Sequence, residues 1–137
     1  MGVIVDTNVL IDLTIDTPRW TDWSRAAVMK ASRRDTLIIN QVIYSEFATR
    51  YDNEDEIAEV LDERFFVRES LPWSAAFMAG HVFQTYRERG GARDRTLPDF
   101  LIGAHAAVMG YEVITRDPAG YRNYFAGLSL VTPETHP

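Results

Sequence analysis

A chain of 137 residues, 46% hydrophobic and 25% charged, has the size and composition of one folded domain, expected over residues 1–137. The absence of cysteine excludes disulfides, thiolate nucleophiles and cysteine-ligated zinc or iron–sulfur centres. The net charge of −6 excludes a uniformly basic nucleic-acid binder, and Lys30, the single lysine among 14 basic residues, stands in neither of the places where a phosphate-binding loop or a strand-end aspartyl phosphatase needs one.

The first apolar run is broken at Asp6, too early for a signal-peptide core or a membrane span, so a cytoplasmic location with no membrane partner is expected. Val3 to Val5 predicts a short buried strand, and Val9, Leu10 and Leu13 the helix after it. Thr17-Pro18 predicts the start of a helix running to about Arg34, with Trp20, Trp23, Ala27 and Lys30 at spacings of three and four. "TLIIN" at 36–40 predicts a second strand, with Asn40 capping a helix to about Tyr51. "EDEIAEVLDERF" predicts a further helix, Phe66 to Arg68 a third strand, and Trp73 to Arg89 a long helix ended by Gly90-Gly91. Pro98 opens a helix through "PDFLIGAHAAVMG", and "YEVIT" and "LSLVT" predict two last strands around a short helix. This alternation implies the α/β class: a mostly parallel central sheet of about four or five strands, flanked by helices and joined by right-handed crossovers. "ERGGARDRTLP" at 88–98 is expected to be a mobile loop within the domain.

Ligands of an open parallel sheet bind outside the carboxyl ends of its strands, which directs attention to Asp6 and Asp117, each just after a predicted strand. They share one crevice if those strands are neighbours; otherwise each is a loop aspartate capping the next helix. Glu46 lies on or beside the inward stripe of its helix, or else reaches water at an edge. Asp99 sits in the first turn of a helix that is apolar nearly all round, where it complements the helix dipole or joins the site. Gly103, four residues on, is expected to leave room beside it for an ion or substrate. Four carboxylates at one sheet edge repel one another unless a cation neutralises them, and oxygen-only ligands suit Mg²⁺ or Mn²⁺. His105 is six residues from Asp99, about 240° around the helix, and is expected to be structural.

The chain resembles the PIN-domain ribonucleases, and among them the VapC-type toxins of toxin–antitoxin pairs. The resemblance rests on "VDTNVLID", "SEFA", "LPDFLIGAHA" and "VITRDPAGYRNYF", which occur in this order and span almost the whole chain. It implies that Asp6, Glu46, Asp99 and Asp117 are the acidic quartet, both catalytic and metal-holding, with Asn8 and Thr115 supporting it. It also implies a VapB-like antitoxin whose carboxyl-terminal segment covers the active site, and a homodimer.

The expected reaction is hydrolysis of RNA by a metal-activated water, giving 5′-phosphate and 3′-hydroxyl ends. Arg87, Arg89, Arg93 and Arg95 are candidate RNA phosphate contacts; the alternative is a solvated charged loop. Two other readings compete. One is a housekeeping PIN nuclease in RNA maturation or DNA cleavage. The other is a non-catalytic module whose acidic pocket receives a basic peptide.

Overall fold

The computed structural model describes residues 1–91 and 95–137. Among these, five strands and seven helices alternate along the chain. The strands are β1 (Gly2–Val5), β2 (Thr36–Ile39), β3 (Phe66–Arg68), β4 (Glu112–Ile114) and β5 (Leu130–Val131). All neighbours pair in parallel, in the order β3-β2-β1-β4-β5.

β1 is the central strand, and every one of its residues is buried, as a strand covered on both faces requires. The chain steps outward from β1 to β2 to β3 and then returns to the other side of β1 as β4. That reversal makes the crevice between β1 and β4 the switch point of the sheet. Val5 pairs with Ile114, so the residues that follow them, Asp6 and Thr115, emerge side by side. The neighbourhood of strands one and four, on which a shared crevice depends, is therefore present.

The helices are α1 (Thr7–Thr14), α2 (Thr21–Ser32), α3 (Gln41–Ala48), α4 (Glu54–Val60), α5 (Trp73–Glu88), α6 (Leu97–Met109) and α7 (Ala119–Tyr124). Asp6 caps α1 by accepting from the Thr7 amide, and Asn40 caps α3 by accepting from the Ile43 amide. α6 ends on Gly110, whose φ of 72° is left-handed backbone that favours glycine.

α2 departs from expectation. Thr17 to Trp20 form a turn in which the Thr17 carbonyl accepts from the Trp20 and Thr21 amides, and the helix starts only at Thr21. Its buried face is Thr21, Ser24, Val28 and Ala31, one position out of phase with the expected stripe, and Lys30 is exposed. α4 also stops short, at Val60, because Asp62 draws Arg64 into a local turn through its amide and guanidinium.

One apolar cluster surrounds the sheet, built on Val3, Ile4, Val5, Leu37, Ile39, Val113 and Ile114 with Phe47 and Ile102 packed over them. A second joins α5, α6 and the α7 end through Ala75, Ala79, Tyr86, Phe100 and Phe125. His105 is fully buried. Asn40 must present its amide nitrogen to His105 Nδ1 at 3.0 Å, because its oxygen caps α3. Nε2 therefore carries the proton and donates to Glu69 at 2.7 Å, while the Tyr111 hydroxyl donates to the other Glu69 oxygen. Burial and Glu69 push the Tyr111 hydroxyl up to about 12. No helix among the described residues is long and apolar enough to cross a membrane.

Candidate active site

A cavity of about 230 Å³ opens at the carboxyl edge of β1 and β4, and Asp6, Glu46, Asp99 and Asp117 all line it. They arrive from four segments: the end of β1, the middle of α3, the first turn of α6 and the turn after β4. The two expected supporting residues divide, since Asn8 lines the cavity while Thr115 lies buried behind Asp6.

Asp6 is anchored through both oxygens. Oδ1 accepts from the Thr7 amide at 2.7 Å; Oδ2 accepts from the Thr115 hydroxyl at 2.8 Å, the Tyr121 hydroxyl at 3.0 Å and the Asn8 amide at 3.3 Å. Burial still raises its pKa above the ordinary carboxylate value, against these bonds, with a further push from Asp99. Glu46 is raised too, first by burial and then by Asp6 and Asp99, while the Thr7 hydroxyl donates to it at 2.9 Å. Tyr121 is raised well above its usual value by burial beside the Asp6 charge, so it remains a donor.

Asp99 serves two surroundings. Its Oδ2 accepts from the Thr96 amide at 2.8 Å and the Thr96 hydroxyl at 3.1 Å, closing the first turn of α6, and its side chain also borders the cavity. The helix-terminus role and the cavity position thus coexist. Asp117 is more than half exposed and is held by Arg95.

The two supporting residues also fix the turn after β4. Asn8 Oδ1 accepts from the Arg116 amide at 3.2 Å, and the Thr115 hydroxyl accepts from the Asp117 amide at 3.1 Å. Behind them lies an unanticipated buried ion pair. Asp12, fully buried on α1, accepts from Ser24 at 2.6 Å and from Arg116 Nη2 at 3.1 Å. Arg116 Nε lies 2.7 Å from Asp12 as an ion contact, without hydrogen-bond alignment, and the guanidinium covers the Trp20 ring.

Of the four candidate arginines, Arg95 lines the cavity. Arg87 and Arg89 sit exposed at the end of α5 and are not among the lining residues, and Arg93 falls outside the described residues. Gly103 does not leave space for an ion or substrate: a Cβ there would run into the Phe125 ring, which fills the gap. The sequence reading missed Thr7, Tyr121 and Gly120. Thr7 stands inside the "DTN" string and Tyr121 four residues beyond Asp117, but a hydroxyl contact between distant segments leaves no periodic signal.

Among the described residues, no three acidic or histidine side chains already converge tightly enough to hold a metal ion. Asp99 Oδ2 is bonded to Thr96, and Asp117 to Arg95. The donor set nonetheless fits a hard divalent cation, being all oxygen. The Asp99 charge also raises the proton affinity of both Asp6 and Glu46, and Asp6 that of Glu46, a repulsion that a cation relieves.

The PIN domain family model matches residues 3–125. No curated protein matches the chain. Solved structures do: VapBC2 from Rickettsia felis bound to a promoter DNA fragment, at 14% identity and TM-score 0.74 over 96% of this chain and 98% of that one. DNA-bound VapBC from Salmonella typhimurium matches at 16% and 0.72, again over 96% and 98%. A toxin–antitoxin complex from Klebsiella pneumoniae matches at 25% and 0.65, over 96% and 97%. With its family model spanning both ends of the acidic cavity, the chain belongs to the PIN domain family.

Proposed function

We propose that this protein is a Mg²⁺- or Mn²⁺-dependent endoribonuclease and the toxin of a toxin–antitoxin pair. The observation that carries the reading is the meeting of Asp6, Glu46, Asp99 and Asp117, from four separate segments, around one cavity at the switch point of a parallel sheet. Four acids at one mouth suit a cation-assisted reaction on a phosphodiester better than they suit an apolar ligand.

The carboxylates of the quartet would hold the ion, which supplies a more acidic water and neutralises charge on phosphoryl oxygens. Asp6 is kept in place by its four donors, and Glu46 by the Thr7 hydroxyl. Tyr121 stays protonated and acts as a fixed donor to Asp6, not as a base. Arg95, at the mouth, is placed to receive a substrate phosphate once it leaves Asp117. Hydrolysis by water leaves 5′-phosphate and 3′-hydroxyl ends.

The partner is a VapB-like antitoxin. Support comes from the neighbours, whose structures are VapBC or toxin–antitoxin complexes, two of them on DNA. The ion pair between Arg95 and Asp117 favours a second, compatible reading, in which the acidic mouth is a receptor for a guanidinium from a basic antitoxin segment. Expression in cells, with sequencing of new RNA ends, tests both. Growth arrest with new 5′-phosphate ends, lost in Asp6→Asn and Asp99→Asn, supports the nuclease toxin; cyclic phosphate ends would remove the hydrolytic mechanism. Binding of a basic peptide with no cleavage by folded wild type would leave the receptor reading alone.

A further inference from the structure

The His105 network takes no part in the acidic cavity, yet it ends on a carboxylate that borders a second one. This cavity, of about 210 Å³, opens where β2 and β3 end, and its lining includes Gln41, Tyr44, Arg68, Glu69 and Ser70. Glu69 Oε2 accepts from His105 Nε2 and Oε1 from the Tyr111 hydroxyl, each at 2.7 Å, so two donors fix its position, one of them fully buried. A carboxylate oxygen can accept two bonds, and the Glu69 side chain is 31% exposed, so each oxygen retains capacity for a ligand. Gln41 is fixed as well. Its Oε1 accepts from the Leu71 amide at 3.0 Å, which leaves its amide nitrogen to donate. The Arg68 guanidinium lies 4.8 Å from the centre of the Tyr44 ring, over its face, and pairs with Glu63 at 3.0 Å.

We propose that this cavity is a subsite for an unpaired guanine base of the RNA substrate. The stacked Arg68 and Tyr44 form a flat cationic platform of the kind on which single-stranded bases stack. Glu69 then reads the edge. Guanine places two N–H donors side by side, on N1 and on its 2-amino group, which match the two oxygens of a carboxylate; O6 beside them accepts from the Gln41 amide. Adenine and cytosine set a ring acceptor next to their amino group and uracil sets carbonyls around its one N–H, so each brings an acceptor against Glu69. A volume of about 210 Å³ suits one heterocycle better than a drug-sized ligand.

The placement fits a strand that also reaches the acidic cavity. In the order β3-β2-β1-β4, the β2/β3 edge lies two strand spacings from the β1/β4 edge, about 10 Å. Helix α3 borders both cavities, with Gln41 and Tyr44 at one and Glu46 at the other. Gln41 and Ser45, exposed on the outward arc between Tyr44 and Glu46, are uncharged, so a phosphate crossing there meets no carboxylate of α3. The subsite rests on the nuclease reading for its ligand being part of a substrate; the base-binding geometry stands on Arg68, Tyr44, Glu69 and Gln41.

The test is titration of the full chain in EDTA with the four nucleoside 5′-monophosphates and inosine 5′-monophosphate, read by amide NMR shifts at Tyr44, Arg68 and Glu69. Guanosine monophosphate is expected to bind at least about tenfold tighter than the cytidine and uridine nucleotides. Inosine monophosphate, which lacks the 2-amino group, is expected to bind at least about fivefold more weakly than guanosine monophosphate, a readout that needs no variant. Glu69→Gln should erase the preference for guanine, whereas Arg68→Ala and Tyr44→Leu should weaken every nucleotide at least about fivefold. Asp6→Asn should bind as wild type does. Equal binding of all bases, a guanine preference that survives Glu69→Gln, or shifts confined to the acidic cavity overturns the proposal. EDTA separates the two readings. A chain that cuts RNA with Mn²⁺ but does not bind guanosine monophosphate loses the subsite alone, and one that binds it at these residues but cuts nothing loses the nuclease alone.

Discussion

The Arg95 guanidinium grips the Asp117 carboxylate with two hydrogen bonds, Nη1 to Oδ2 at 2.7 Å and Nη2 to Oδ1 at 3.3 Å. Under the proposed function, this pair would withhold one acid of the quartet from a cation; it places a cationic group at the mouth of the cavity. Gly120 permits it, because a Cβ there would stand 2.9 Å from the guanidinium. An exposed ion pair contributes about 0–1 kcal/mol, so Arg95→Ala is expected to tighten Mn²⁺ binding up to roughly fivefold in calorimetry. The same variant raises KM for RNA and flattens its salt dependence if Arg95 also meets phosphate. Gly120→Ala should tighten Mn²⁺ in the same direction; unchanged affinity in both variants would mean that Arg95 does not compete with the ion.

Burial raises the proton affinity of Asp6 and Glu46 in the folded chain. The sign follows directly. A carboxyl whose folded pKa lies above its unfolded value contributes stability that is full below the unfolded pKa and is lost as pH rises through the folded one. Glu46→Gln removes the charge and keeps an acceptor for Thr7. In EDTA it is expected to melt about 1–2 °C above wild type near pH 8, with the gap closing towards pH 4. Added Mn²⁺ reverses the order, because wild type then gains a ligand that the variant binds poorly. A gap that widens on acidification would contradict the raised pKa.

The buried pair of Asp12 and Arg116 ties α1 to the turn that carries Asp117. Asp12→Ala leaves a guanidinium without its counter-charge and should cost about 3–5 kcal/mol in urea unfolding. Ser24→Ala, which removes one donor to Asp12, should cost about 1 kcal/mol. Equal, small losses in both would show that Asp12 is solvated in solution.

Gly103→Ala tests packing against α6. The added methyl meets the Phe125 ring, so a loss of about 1–3 kcal/mol is expected. Phe125→Leu in the same chain should recover part of it, measured by thermal melting. A neutral Gly103→Ala would reopen the space beside Asp99.

Much of the architecture was legible locally. The runs "VIV" and "TLII" marked the buried central strands, and Asn40 capped the helix expected of it. Helix starts after a turn were less so: Thr17-Pro18 supplies an N-terminal signal, but the Thr17 carbonyl closes a turn first and shifts the inward face of α2 by one residue. The acidic side chains could be named because carboxylates just past strands and on inward helical phases are costly without a partner. Their partners could not. Tyr121 on Asp6, Thr7 on Glu46 and Arg95 on Asp117 are contacts between segments whose proximity is set by strand order, which periodicity does not encode. Gly103 misled for the same reason, since the ring that fills its space lies 22 residues downstream.

The most direct test of the catalytic proposal is cleavage of total cellular RNA by the purified chain with Mn²⁺, with EDTA, and with Asp6→Asn and Asp99→Asn variants shown to be folded. Metal-dependent cuts bearing 5′-phosphates, abolished by EDTA and by either variant, are the predicted result. Cleavage that survives EDTA or both variants would contradict the role assigned to the quartet.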